Sequence, residues 1–383
     1  MRADRTIKRR IIIVRVAIDT RPLSWGIQGG IARFGRNIIN SLRDQPADHE
    51  WVLYGTSSDV AELFPDLEFH LLPKNRILYS MVSLPRALRQ SKCSALVALS
   101  PEVFRRTIPT VSIVYDLYPL DYSKWMPNRF KFTRTYWQQV IQTHVRVALL
   151  RHLDAAVAIS EYTAAAIRVH IKTNDVKISV VYPAADPMFS EDKSTDASRR
   201  VLFERLGVTD PYFLYVGALN WHKNVRTIIK AFRLIQESSN ELAVLVIVGH
   251  ENWPKEDLHL VNEPNVVSIP ILDDSDLAIL YSHTVAFIYL SLDEGFGLPV
   301  VEAMSMGAPV IVSRRGALPE VVGSAGFQVE PEDEDQVRNA MALLLSSSTE
   351  RVRQRVLSIK RAGSFSWKDA ANDLVECISQ ITS

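Results

Sequence analysis

Short apolar runs recur along the chain, separated by stretches in which apolar residues return every three or four positions. In the first half the runs are "RIIIVRVAID" (10–19), "WVLYG" (51–55), "ALVALS" (95–100), "TVSIVYD" (110–116), "AAVAIS" (155–160) and "KISVVYP" (177–183). In the second half they are "YFLYVG" (212–217), "LAVLVIVG" (242–249), "NVVSIP" (265–270), "VAFIYL" (285–290) and "PVIVS" (309–313). Most are apolar throughout rather than alternating, the pattern of strands covered on both faces. Between them lie helix-like stretches such as "NVRTIIKAFRLIQES" (224–238), with Val225, Ile228, Ile229 and Phe232 on one face. Repeated strand–helix alternation predicts an α/β protein of two doubly wound parallel sheets.

The 383 residues, 47% of them hydrophobic, exceed one ordinary core and fit two domains. Prolines followed by polar residues in "YPAADPMFSEDKSTDASRR" (182–200) place the connection near 183–200. We expect an N-terminal domain over 1–187, a C-terminal domain over 188–365 and a final segment over 366–383. Residues 1–190 hold 26 Lys+Arg against 16 Asp+Glu, a net of +10; residues 191–383 hold 18 against 27, a net of −9. Opposite signs favour two domains and an anionic partner for the first. Two cysteines, Cys93 and Cys377, argue against a disulfide framework and for a cytosolic setting. No run reaches the length of a membrane span, and Arg15 interrupts the apolar opening, which reads as a buried strand rather than a signal peptide.

The densest chemistry lies in "SLDEGFGLPVVEAMSMGAPVIVS" (291–313). Pro299 suits a first helical turn, so "LPVVEAMSM" reads as a helix with Gly307 as its stop. Glu294 then stands in the preceding loop and Glu302 about one turn inside the helix. Gly295 and Gly297 permit close approach of a ligand, and free N–H groups at the helix start favour an anion. Ionised carboxylates accept hydrogen bonds from hydroxyl-rich partners. Amides for phosphate beside carboxylates for hydroxyls suit a nucleotide sugar. Spacing alone leaves open that Glu294 is a solvated loop charge and Glu302 a surface residue.

This stretch resembles the E-x7-E signature of family 4 glycosyltransferases, retaining enzymes of the GT-B fold, in which two Rossmann-like domains face a central cleft. The resemblance extends over roughly residues 12–378. It implies that Glu294 contacts the donor sugar near the main-chain amides of Phe296, Gly297 and Leu298, and that Glu302 holds the ribose. "YVGALNWHKNVRTIIKAF" is similar to the family's diphosphate clamp, with Gly217 and Lys223 matching and Ala218 where an arginine is usual. His222 beside them is expected to face solvent. "GIQGGIARFGRN" resembles the N-terminal glycine loop, which puts Gly30 near the donor phosphate; Tyr115 stands where the family has histidine, followed by Asp116. Catalytic candidates are therefore Glu294, Asp116 and Lys223. Donor-binding candidates are Glu302, Phe296, Gly297, Leu298, Gly217, Lys223, Gly30 and Tyr115. "ISEYTAAAIRVH" also matches a family segment, with Ser160 and Glu161 at a helix start that an acid favours. The ending "FSWKDAANDLVECI" (365–378) resembles the family's final helix, which packs back on the N-terminal domain.

The resemblance, closest to bacterial GDP-mannose-dependent mannosyltransferases, implies transfer of a hexose from a nucleotide sugar to a glycan or polyprenyl-linked acceptor. Surface polysaccharide synthesis is the setting it suggests. No Asp-x-Asp follows a strand, so no metal or other cofactor is expected. A nucleotide-sugar-binding protein without turnover and a GT-B sugar-nucleotide epimerase remain alternatives. Residues 122–153 carry Lys124, Arg129, Lys131, Arg134, Arg146 and Arg151 among Trp125, Phe130, Phe132, Tyr136 and Trp137, without an acid. That mixture suits an anionic membrane surface at the cytoplasmic leaflet. Nucleic acid is not expected, since no recognised binding module is present. A partly buried helix with snorkelling arginines is the other reading of the strip.

Overall fold

The computed structural model describes residues 14–25, 29–45, 49–101, 106–117, 120, 134–171, 175–190, 194–238, 242–249, 259–260 and 262–382. Among these, one sheet holds 7 strands: β1 (Val14–Asp19), β2 (His49–Gly55), β3 (Glu68–Leu71), β4 (Ala95–Ala98), β5 (Thr110–Val114), β6 (Ala155–Ala158) and β7 (Lys177–Val180). A second holds 6: β8 (Tyr212–Val216), β9 (Val244–Val248), β10 (Val266–Ile269), β11 (Ala286–Tyr289), β12 (Val310–Ser313) and β13 (Phe327–Val329). Every pairing is parallel. The orders, β3-β2-β1-β4-β5-β6-β7 and β10-β9-β8-β11-β12-β13, reverse direction beside β1 and beside β8. In such sheets ligands collect outside the carboxyl ends of the strands at the reversal, so each domain turns its binding edge toward β1–β4 or β8–β11.

Eight helices position the site, labelled in chain order: α1 (Gly30–Arg43), α2 (Arg134–Leu150), α3 (Glu161–Ile171), α4 (Val225–Ser238), α5 (Asp274–His283), α6 (Leu298–Ser305), α7 (Leu318–Val322) and α8 (Trp367–Thr382). Their apolar stripes cover the sheets. On α1 Phe34, Ile38, Ile39 and Leu42 are buried; on α4 Val225, Ile228, Ile229 and Phe232 are. Strands β4, β5, β6, β9 and β11 are buried along their whole length, which is why they read as unbroken apolar runs.

Two strands lie outside the runs read from the sequence. β3 ("EFHL") is an edge strand with exposed ends, and β13 ("FQV") is a three-residue edge. Half-covered edges need few apolar residues, so neither stands out in the pattern. After α7 the chain returns, and α8 lies against the first sheet's side. Ser41 Oγ donates to the Trp367 carbonyl at 2.8 Å, and Lys177 Nζ to that of Gln380 at 2.7 Å. The Trp367 ring meets Phe34 edge-on at 5.5 Å.

The two sheets are tied together around α3 and α7. Glu320 on α7 accepts from the main-chain N–H of Glu161 at 2.8 Å and of Tyr162 at 3.1 Å, and from the Tyr182 hydroxyl at 2.6 Å. The acid serving the start of α3 is thus Glu320 from the other domain, whereas Glu161 reaches back to Arg168 at 3.8 Å. Ser160 Oγ donates to the Gly295 carbonyl at 2.6 Å, and the Tyr162 hydroxyl to Asp293 Oδ2 at 3.1 Å.

Candidate active site

A cavity of about 1120 Å³ opens between the two sheets. All ten candidate residues line it: Gly30, Tyr115, Asp116, Gly217, Lys223, Glu294, Phe296, Gly297, Leu298 and Glu302. Gly30 opens α1, the first α-helix after β1, and Leu298 opens α6 after β11. A Cβ added at Gly30 would lie 3.8 Å from Leu298 Cδ1, so the two helix starts face each other across the cleft. Unpaired amides and the positive ends of two helix dipoles therefore point into one space.

The loop between β11 and α6 is shaped by its glycines. Gly297 has φ +98°, a conformation that a side chain strains. At Gly295 a Cβ would sit 1.9 Å from the Tyr115 carbonyl oxygen, so only glycine lets this loop touch the other domain. The Phe296 ring is buried against Phe365 at 5.5 Å, which leaves its main chain, not its ring, for a ligand.

Lys223 sits in the turn after β8 and reaches Glu294 Oε2 at 2.5 Å and the Tyr289 hydroxyl at 2.8 Å. Burial lowers the lysine's pKa, but Glu294, Tyr215 and Asp116 outweigh it, and the ammonium stands above its ordinary value. Asp116 follows β5. Burial, then the nearby Glu294, push its carboxyl up to about 7, against the pull of Arg146 and Lys223. Tyr115 meets Phe34 edge-on at 5.5 Å. Its hydroxyl is buried and finds no hydrogen-bond partner among the described residues.

One alternative drops out here and one expectation fails. Glu302 is no surface residue: it is 3% exposed. Burial raises its carboxyl to about 7, while Arg33 pulls it down and Asp274 and Asp186 push it up. Nor does His222 face solvent. It is buried because the turn folds beneath the β11 loop, where Leu292 N–H donates to the His222 carbonyl at 2.7 Å. Burial, with Lys223 adjacent, drops its pKa well below the usual imidazole value. A neutral imidazole there supports the loop's packing.

Arg33, Asp274 and Tyr289 line the cavity, and Glu320 holds the domain contact, without having been singled out in the sequence. Of these, Arg33 has a visible signal, since it follows the glycine loop by one turn. Among the described residues no group of three or more His, Cys, Asp or Glu is placed to hold a metal ion. None of the described helices is long and apolar enough to cross a membrane.

Two Rossmann-like parallel-sheet domains with the cleft between them make a GT-B fold. Over 96% of this chain the architecture matches sucrose-phosphate synthase from Thermosynechococcus elongatus (TM-score 0.75, 18% identity, 98% of that chain). It also matches Anabaena HepE in complex with UDP-glucose (TM-score 0.72, 16% identity, 96% of this chain and 99% of that one). Residues 199–360 match the family model of glycosyl transferases group 1. The O-antigen chain mannosyltransferase B of Escherichia coli is 31% identical over 169 residues, 43% of this chain and 44% of that protein. The O-antigen chain mannosyltransferase RfbU of Salmonella typhimurium is 35% identical over 136 residues, 34% of this chain and 37% of that one. The chain thus matches less than half the length of these curated relatives.

Proposed function

We propose that the protein is a metal-independent glycosyltransferase that moves a hexose from a nucleotide sugar with retention of configuration. We infer mannose from GDP-mannose as the donor, because the relatives named above are mannosyltransferases. We infer a glycan or polyprenyl-linked acceptor in surface polysaccharide synthesis, a reading that the O-antigen names of those relatives support. The observation that carries the reading is the convergence of two helix starts, Lys223, Glu294 and Glu302 on one cavity.

In this reading the diphosphate lies between the starts of α1 and α6. As the anomeric C–O bond breaks, the sugar becomes oxocarbenium-like and negative charge grows on the departing diphosphate. Lys223 and the Gly297 and Leu298 amides stabilise that charge. Glu294 orients sugar hydroxyls, and Glu302 accepts from the ribose. Asp116 has a pKa of about 7, matched to moving a proton near neutrality. Contact between the domains keeps water from the donor.

The described part of the basic strip supports a membrane surface as partner. Along α2, Trp137, Ile141 and Val145 are exposed at one-turn spacing, with Arg134 and Arg151 exposed at the two ends. Residues 122–133 of that strip lie outside the described residues.

The test is a thermal-shift screen against GDP-, UDP- and ADP-sugars, followed by product analysis. We expect stabilisation by GDP-mannose and its loss in Glu302→Ala. Stabilisation by no nucleotide sugar would remove the reading. A second reading, a binding protein without turnover, draws on the short Ala218 in the clamp and the Tyr115 hydroxyl, which has no partner among the described residues. Tight donor binding with neither transfer nor hydrolysis would favour it.

A further inference from the structure

Arg33 stands on the first turn of α1, in the N-terminal domain, yet its guanidinium lies in the other domain's half of the cleft. It is 7% exposed. Its Nη1 donates to Glu302 Oε1 at 2.8 Å and its Nη2 to Asp274 Oδ1 at 2.7 Å. The group packs over the Phe189 ring at 5.3 Å, which fixes its plane. One arginine thus spans two carboxylates on two helices of the facing domain. Planar, two-pronged donation sets the orientation of both acids, which a lysine's point charge does less well.

We propose that Arg33 is a positioning residue for the donor: it fixes the Glu302 carboxylate so that its second oxygen, Oε2, meets the ribose hydroxyls. The nucleotide half of the site is then complete only when the N-terminal domain is docked. The inference rests on the nucleotide-sugar reading of the cleft. The other groups facing Glu302 are Asp274 and Tyr281 on α5, Tyr289 at the end of β11 and Asp186 in the interdomain connection. Among these groups Arg33 carries the positive charge. With Arg33 in place the carboxyl stands at about 7; without it, burial and two acids would push it higher and leave Glu302 mostly protonated near neutrality, and a protonated oxygen is a poorer acceptor. Raising the pH would restore the carboxylate and with it the affinity.

The experiment measures binding of GDP-mannose and UDP-glucose to the full chain by calorimetry across about pH 6 to about pH 9. It compares wild type with Arg33→Met and Arg33→Lys, each checked for a folded melting transition. For Arg33→Met we expect affinity about tenfold weaker near pH 7, with most of it regained near pH 9. Arg33→Lys should lose about threefold or less, and a 2′,3′-dideoxyribose analogue of the donor should bind wild type and Arg33→Met alike. An equal loss at every pH, or no loss, overturns the proposal while leaving the nucleotide-sugar reading intact. Binding of neither donor by wild type overturns that reading and the proposal with it.

Discussion

Replacing Asp116 with asparagine removes a charge from the cleft with almost no change of shape. Burial and Glu294 raise this carboxyl from 3.8 to about 7. Because the folded value lies above the unfolded one, the folded state binds the extra proton. The stability this contributes is fully present below about pH 4 and is lost as pH rises through about 7. The full linkage value of that rise is about 4 kcal/mol. Asp116 keeps partial contact with the open cleft, so solvent screening brings the expected cost at about pH 8 to roughly 2 kcal/mol. Asp116→Asn should therefore be more stable than wild type by roughly 2 kcal/mol at about pH 8, and the gain should shrink by more than half at about pH 5. For a cooperative transition of 383 residues this is on the order of 3 °C in Tm. Differential scanning calorimetry at four pH values reads it, beside a transfer assay that should show loss of turnover. A destabilised variant at alkaline pH, or a shift independent of pH, would refute the picture of a carboxylate held at a cost.

Lys223→Met removes the cation 2.5 Å from Glu294. Initial rates should show kcat falling by about a hundredfold to a thousandfold, the loss of one preorganised donor to a departing anion. Gly295→Ala places a Cβ 1.9 Å from the Tyr115 carbonyl oxygen. Small-angle scattering should show a longer particle and kcat/KM should drop about a hundredfold or more; an unchanged particle and rate would sink the docking argument. Glu320→Ala strips the acceptor from two N–H groups and the Tyr182 hydroxyl. It should cost about 1.5–3 kcal/mol and speed proteolysis between the domains, with Glu320→Gln less affected. The triple change Arg134→Glu, Trp137→Ala and Arg151→Glu should cut flotation with anionic vesicles by about tenfold or more. Equal flotation would dismiss the membrane surface.

The central strands were legible because helices cover both their faces, and burial leaves only apolar residues to choose from. β3 and β13 were not, because an edge strand is held by its ladder more than by its side chains. The glutamate spacing was legible for a local reason: Pro299 and Gly307 mark the ends of one helix, and its register follows. Partners across the cleft carry no such mark. Arg33 and Glu302 stand 269 residues apart, and Glu161 and Glu320 159 apart. Neither pairing shows in the sequence, where Arg33 and Glu320 read as ordinary surface charges. His222 misled for a related reason, since a polar side chain looks solvated until a neighbouring loop closes over it.

Both domains lean on the same short loop, and this has a consequence for interpreting variants. The Gly295 carbonyl accepts from Ser160 Oγ at 2.6 Å and from Thr163 Oγ1 at 3.3 Å. Glu302, on the helix that follows, is held by Arg33 at 2.8 Å. Residues of the first sheet thereby set the geometry of the donor-side acids. A change at Ser160 or Thr163 touches no donor atom in this reading, yet it releases the Gly295 carbonyl and loosens Glu294 beside it. Such changes should lower kcat together with donor affinity, because positioning by a few tenths of an ångström enters both. Changes at Ser57 and Asp59, which line the cavity without touching the Gly295 loop or Glu302 in any of these bonds, should leave donor affinity alone. That contrast separates a site assembled by docking from two independent half-sites.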